Sequence, residues 1–129
     1  MKLLLDTHIL LWACATPTSL PTDAANLIND RNNELLFSAA SIWEVGIKHA
    51  MGKAHFHFDP AVLRRALLDA DYQELAMTGQ HSIAAAALPP IHNDPFDRML
   101  IAQATTEGFI LVTSDLAIAK YAGPIRHVK

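Results

Sequence analysis

Phe109-Ile110-Leu111-Val112-Thr113-Ser114-Asp115 is the stretch that decides the fold. Four apolar residues in an unbroken run, preceded by Gly108, read as a strand buried on both faces rather than one with a wet side. The run stops at a carboxylate, Asp115, which can open a short helix reaching to Tyr121. Working outward, Lys2-Leu3-Leu4-Leu5-Asp6 repeats the pattern at the start of the chain: an apolar strand, an acid, then a helix over Ile9 to Ala15 that stops before Pro17. Leu35-Leu36-Phe37 is a third such strand. Tyr72 to Met77 is a weaker one, and Ile125 to Val128 a short last one.

Helical patterns lie between these strands. Thr22 fits the cap of a helix from Asp23 to Arg31, and Ser38 or Ser41 the opening of a helix ending near Gly52. Ala61 to Ala70 carries Leu63, Ala66, Leu67 and Ala70 on one stripe. Thr78 fits the cap of a helix from Ser82 to Leu88, which Pro89-Pro90 ends. Asp94-Pro95 starts a helix running to Thr105 or Thr106, closed by Gly108. His55-Phe56-His57-Phe58 alternates and reads as an extended connection. Buried strands joined by helices predict an α/β fold, a three-layer α/β/α sandwich around a mainly parallel, about five-stranded sheet. Ligands of such sheets bind at the carboxyl ends of the strands, where Asp6 and Asp115 fall.

The chain has 129 residues, 51% hydrophobic and 18% charged. That predicts one domain over residues 1–129, large enough to bury about two-thirds of its unfolded surface. No apolar run approaches the roughly 20 residues of a membrane span. The first residues resemble a signal peptide only faintly, since Asp6 and His8 interrupt them. The lone Cys14 reads as a core residue and suits a reducing, cytoplasmic compartment. A net charge of −3 argues against a broad basic nucleic-acid face.

Four acids carry the chemistry: Asp6, Glu44, Asp97 and Asp115. Each also has a structural reading. Asp6 and Asp115 fit helix caps, and Asp97 sits at the third helical position behind Asp94, where a carboxylate suits the helix dipole. Glu44 can pair with Lys48 at i,i+4, although its neighbours Ile42, Trp43, Val45 and Ile47 require part of that helix to face the core. Together at strand ends they form a group that would repel itself unless a cation joined it. Oxygen donors without cysteine select Mg²⁺ or Mn²⁺. Metal-assisted hydrolysis of a phosphodiester needs this set, to acidify a water and neutralise phosphate charge. His8 and His92 lie near this group. His55 and His57 would suit a zinc pair, but no further Cys or His motif accompanies them. Arg64-Arg65, Lys48 and Lys53 read as solvated faces.

The chain resembles the PIN domains of the VapC type, the ribonuclease half of bacterial toxin–antitoxin pairs. The similarity rests on Leu4-Leu5-Asp6-Thr7-His8 with Leu10-Leu11-Trp12, on Ser41-Ile42-Trp43-Glu44-Val45 with Ile47-Lys48, on Asp94-Pro95-Phe96-Asp97-Arg98-Met99-Leu100-Ile101-Ala102-Gln103-Ala104, and on Leu111-Val112-Thr113-Ser114-Asp115. It implies an endoribonuclease whose Mg²⁺ or Mn²⁺ is held by Asp6, Glu44, Asp97 and Asp115, with Thr7 and Thr113 in support. It implies products with a 3′-hydroxyl and a 5′-phosphate, a homodimer, and a small antitoxin whose tail covers the acidic groove. A catalytically silent RNA- or partner-binding module of the same fold is the alternative. A receiver-type Mg²⁺-binding signalling domain would need two adjacent acids after the first strand and a phosphorylatable Asp on the middle one, and neither is present. An aspartyl phosphatase would want an acid where His8 stands.

Overall fold

The computed structural model describes residues 1–129. Five strands form one sheet: β1 (Lys2–Leu5), β2 (Glu34–Ser38), β3 (Gln73–Leu75), β4 (Ile110–Thr113) and β5 (Ile125–His127). Their order is β3-β2-β1-β4-β5 and every pairing is parallel. The sheet is thus wholly, not mainly, parallel. β1 is its centre: Leu3 faces Leu35 on one side and Ile110 on the other, and Leu5 faces Val112.

Seven helices cover it: α1 (Thr7–Ala15), α2 (Thr22–Asn29), α3 (Ala39–Ala50), α4 (Pro60–Asp69), α5 (Gly79–Ala86), α6 (Pro95–Glu107) and α7 (Leu116–Ala119). Alternate residues of β1 divide between two cores. Leu3 and Leu5 pack with Ile9 and Leu10 of α1, Ala24 of α2, Val45 of α3 and Leu63 and Leu67 of α4. Leu4 packs with Leu100, Ile101 and Ala104 of α6, Leu111 of β4 and Ile118 of α7. This period of two explains why the run had to be continuously apolar: both faces of the strand are covered. Each of Leu3, Leu4 and Leu5 is at most 1% exposed, so each is worth about 2–3 kcal/mol of burial.

Local chemistry sets the helix starts, and it corrects several expected boundaries. α1 begins at Thr7, because Asp6 accepts the amide of Ile9. Thr22 is inside α2 rather than capping it; Pro21 holds that place without a side-chain bond. Ser38, not Ser41, caps α3 through the Ala40 amide, leaving Ser41 free for a buried contact described below. Asp59 caps α4, and Thr78 and His81 form a reciprocal capping box on α5. Gly108 closes α6 at φ 74°, a left-handed turn that suits glycine. The 55–58 connection is not extended throughout: His55 sits in a turn at φ 71°, with Phe56 turned into the core while His55 and His57 face out. No helix is long and apolar enough to cross a membrane.

Candidate metal centre

The strand order reverses at β1/β4, so the helices leaving the two strands diverge there and open a crevice at the carboxyl edge. Asp6 follows β1 and Asp115 follows β4, on the two sides of this switch point. Asp6 is 4% exposed. One carboxylate oxygen accepts the Ile9 amide at 2.9 Å and the other accepts the Thr113 hydroxyl. The Thr113 oxygen in turn accepts the Asp115 amide at 3.0 Å. One threonine thereby ties the two acids together through the end of β4. Burial raises the Asp6 pKa; the bonds from Thr113 and Ile9 and the nearby His8 oppose this, and Asp115 adds to it.

Asp97 projects from the first turn of α6. Asp94, one turn back, accepts the amides of Phe96 and Asp97 at 2.9 and 3.1 Å. It therefore has the capping job its place before Pro95 suggested. Asp97 accepts from His92 Nε2 at 2.8 Å. Burial, together with the charges of Asp94, Glu44 and Asp6, raises the Asp97 pKa to about 7 against that bond. A half-buried carboxyl group at a helix start, its pKa raised by burial and by three neighbouring acids, is a candidate for a functional site.

His92, Asp97 and Asp115 bring one donor atom each to within 4.8 Å of one another. Asp6 and Glu44 stand outside that tight group. Glu44 is 2% exposed on the inner stripe of α3, with Ala40, Ser41 and Val45. The Thr7 hydroxyl donates to its Oε1 at 2.7 Å and lies 2.9 Å from the Ser41 hydroxyl, which supplies the second hydrogen. Its other oxygen takes the Lys48 ammonium. The i,i+4 pair foreseen on the surface is real but buried at its acidic end. The acids at Asp6, Asp97 and Asp115 have no Lys or Arg partner: Lys48 is the one ammonium here and it is engaged by Glu44. Two or three carboxylates and an imidazole, left without fixed cationic charge, are a donor set that fits a hard divalent ion.

Sequence reading placed His92 near the site without a contact, and did not read Arg98. The Arg98 guanidinium donates to the carbonyls of Ala85, Leu88, Pro89 and His92 at 2.9–3.3 Å and lies 3.2 Å from the Tyr121 hydroxyl. Tyr121 also accepts the His92 amide at 2.9 Å. These two side chains fold the 85–92 segment over α6 and hold His92 against Asp97. The signal available in sequence was an Arg opening the apolar run Met99-Leu100-Ile101. His55 and His57 do not join the acids; they line a separate cavity with His8 and Trp12.

The PIN domain family model matches residues 3–124. No curated protein sequence matches the chain. Among solved structures, the chain is similar to one from VapBC2 of Rickettsia felis bound to a DNA fragment from their promoter, at 15% identity and TM-score 0.72, with 100% of both chains covered. It is similar to one from a toxin–antitoxin complex of Klebsiella pneumoniae at 17% identity and TM-score 0.67, covering 95% of this chain and 94% of that one. It is likewise similar to one from VapBC-1 of nontypeable Haemophilus influenzae at 19% identity and TM-score 0.64, covering 98% of each.

Proposed function

Because the chain belongs to the PIN domain family, we propose that it is a divalent-metal-dependent endoribonuclease, the toxin of a toxin–antitoxin pair, working in the cytoplasm. The observation that carries this reading is that His92, Asp97 and Asp115 lie close enough to share an ion at the carboxyl edge of the sheet, with the charges of Asp6 and Glu44 acting on Asp97. Asp6, Glu44, Asp97 and Asp115 form the acidic ring we assign to the metal, with Asp97, Asp115 and His92 as the closest donors and Glu44 acting through its charge. A bound Mg²⁺ or Mn²⁺ supplies charge neutralisation for the phosphate and acidifies water.

The chain's own groups do the rest. Thr113 fixes the Asp6 carboxylate and the Asp115 backbone relative to each other, so two acids on different strands move as one. A carboxylate of this group takes the proton of the attacking water. His92, 2.8 Å from Asp97, fixes the orientation of its carboxylate. Lys48 and Thr7 each hold one oxygen of the buried Glu44, so the acid is kept at fixed geometry. In-line attack on the phosphorus then leaves a 3′-hydroxyl and a 5′-phosphate.

The resemblance of the fold to chains of VapBC complexes supports an antitoxin partner. An arginine from such a partner would supply the charge these carboxylates lack. Trp43, 58% exposed, packs edge-on against Phe96 beside Met77 and Met99. This exposed aromatic patch supports a homodimer.

The test is cleavage of a mixed RNA panel with Mg²⁺ or Mn²⁺ and with chelator, beside Asp6→Asn and Asp97→Asn. Loss of cleavage with chelator and in both variants is expected. Metal binding with no cleavage of any RNA would replace the enzyme by a silent binding module, and equal cleavage by the variants would remove both acids from the mechanism.

A further inference from the structure

A second feature lies beside the acids and takes no part in holding them. A cavity of about 370 Å³ lies along α1, with His8, Trp12, His55, His57 and Phe58 in its lining and the hydroxyls of Thr16 and Ser19 beside them. Its volume is that of a small-molecule site. It is linked to two of the four acids, to Asp6 through His8 in the same first turn of α1 and to Glu44 through Phe56 and Lys48. His8, two residues after Asp6, lies edge-on to Phe56 at 5.8 Å and tilted to Trp12 at 6.1 Å. Lys48 Nζ stands 4.9 Å over the Phe56 ring and binds Glu44.

The chemistry of the lining narrows the ligand. No carboxylate faces the cavity, so it is not built for a basic side chain. No Lys or Arg faces it either, so it is not built for a phosphate. A purely apolar occupant would have no use for three imidazoles and two hydroxyls. An imidazole in its neutral form carries one donor and one acceptor, and a hydroxyl carries both. Flat aromatic walls with mixed donors and acceptors at the rim match an uncharged, planar heteroaromatic ring with polar edges. His55 is held at φ 71°, a left-handed conformation few non-glycine residues occupy, which is a further mark of a binding site.

We propose that this cavity takes one unpaired base of the RNA, splayed out beside the cleaved phosphate, and so sets a preference for single-stranded sequence. Single-stranded RNA is read in this way elsewhere, by stacking on aromatic and histidine rings with hydrogen bonds to the base edges. This deepens the ribonuclease reading and rests on it for the RNA, but the base site can be tested without cleavage.

Trp12 and Trp43 are the two tryptophans, and Trp43 lies on the other patch, so in Trp43→Phe the fluorescence reports on the cavity alone. That protein is titrated in chelator with AMP, UMP and ribose 5-phosphate. Saturable quenching by at least one nucleotide, none by ribose 5-phosphate, and at least a tenfold weaker response in Trp43→Phe/His57→Ala is the expected result. Equal quenching by ribose 5-phosphate would make this an anion site, and no nucleotide response up to about 10 mM would leave the cavity to a peptide segment; either overturns the proposal. In the cleavage arm, His57→Ala should flatten the base preference at a position next to the cut while still cleaving, and an unchanged preference would overturn the specificity role. Absence of cleavage in both proteins would defeat the ribonuclease reading instead, with the fluorescence still deciding whether a base is bound.

Discussion

Removing the charge of Asp97 should stabilise the metal-free protein, and the size of the gain follows from the site. The Asp97 pKa is raised from 3.8 to about 7 by burial and by Asp94, Glu44 and Asp6. A group whose pKa is higher folded than unfolded binds its proton more tightly in the native state. Its contribution to stability is therefore greatest below pH 4, falls as pH rises from about 4 to 7, and is flat above 7. At about 1.4 kcal/mol per pH unit, the ceiling on this loss is about 4 kcal/mol. Asp97→Asn removes the charge but also weakens the 2.8 Å bond to His92, so the net gain at pH 8 should be about 1–3 kcal/mol. For a chain this size that is a rise in Tm of roughly 3–10 °C. The assay is thermal melting of both proteins in chelator at several values between pH 4.5 and 8.5. The gap between them should widen up to pH 7 and then hold. A variant that melts below the wild type at pH 8, or a gap that does not change with pH, would refute the account of Asp97 as a carboxyl group under repulsion.

Metal should reverse that ranking: wild type at a hundred times its Kd of Mg²⁺ or Mn²⁺ gains about 2.7 kcal/mol, and Asp97→Asn much less, as read by the same melts with and without chelator. Lys48→Ala strands the buried Glu44 carboxylate, and since Lys48 is about a quarter exposed the loss should be about 1–3 kcal/mol; urea unfolding measures it, and Lys48→Ala/Glu44→Gln should recover part. Arg98→Ala leaves four carbonyls of the 85–92 segment without their donor and should cost about 2–4 kcal/mol together with metal affinity, whereas His92→Ala should lower metal affinity with little effect on the melt in chelator. Leu4→Ala, in the core beneath α6, should cost about 3–5 kcal/mol and leave metal affinity per folded molecule unchanged.

How much of this was legible in the sequence depends on how local each cause is. The strands were legible because both faces of β1 and β4 are buried, which forces unbroken runs such as Leu3-Leu4-Leu5 and Ile110-Leu111-Val112. Asp6 and Asp115 followed, since the end of a parallel strand locates its next residue at the carboxyl edge. β3 was overlong as predicted because Gln73–Leu75 sits at the sheet edge, half wet, where pattern is faint. The helix starts at Thr7 and Thr22 were missed by a residue or two, and Ser38 could not be told from Ser41 as the opening of α3, because Asp, Thr and Ser each offer a cap and tertiary contacts choose among them. His92 could not be read as Asp97's partner. Its place depends on Arg98 and Tyr121 folding a loop by bonds to backbone carbonyls, which leave no pattern in side-chain identity.

Glu44 shows why the same residue type in one cluster need not have one role. Its carboxylate is fully occupied: Thr7 on one oxygen, Lys48 on the other. Asp97 has only an imidazole, and Asp115 only the amide of Ala117. An acid that already has an ammonium gains less from an incoming cation than one that has none, since each must give up what it holds. The affinity of the centre should thus reside in Asp97, Asp115 and His92, with Glu44 acting through the field it adds to Asp97. Metal titration by calorimetry separates the two. Glu44→Gln should weaken binding by about tenfold, the effect of a 1.4 kcal/mol field change, while Asp97→Asn or Asp115→Asn should weaken it far more. Equal losses from all three would mean that Glu44 exchanges Lys48 for the ion and is a direct ligand after all.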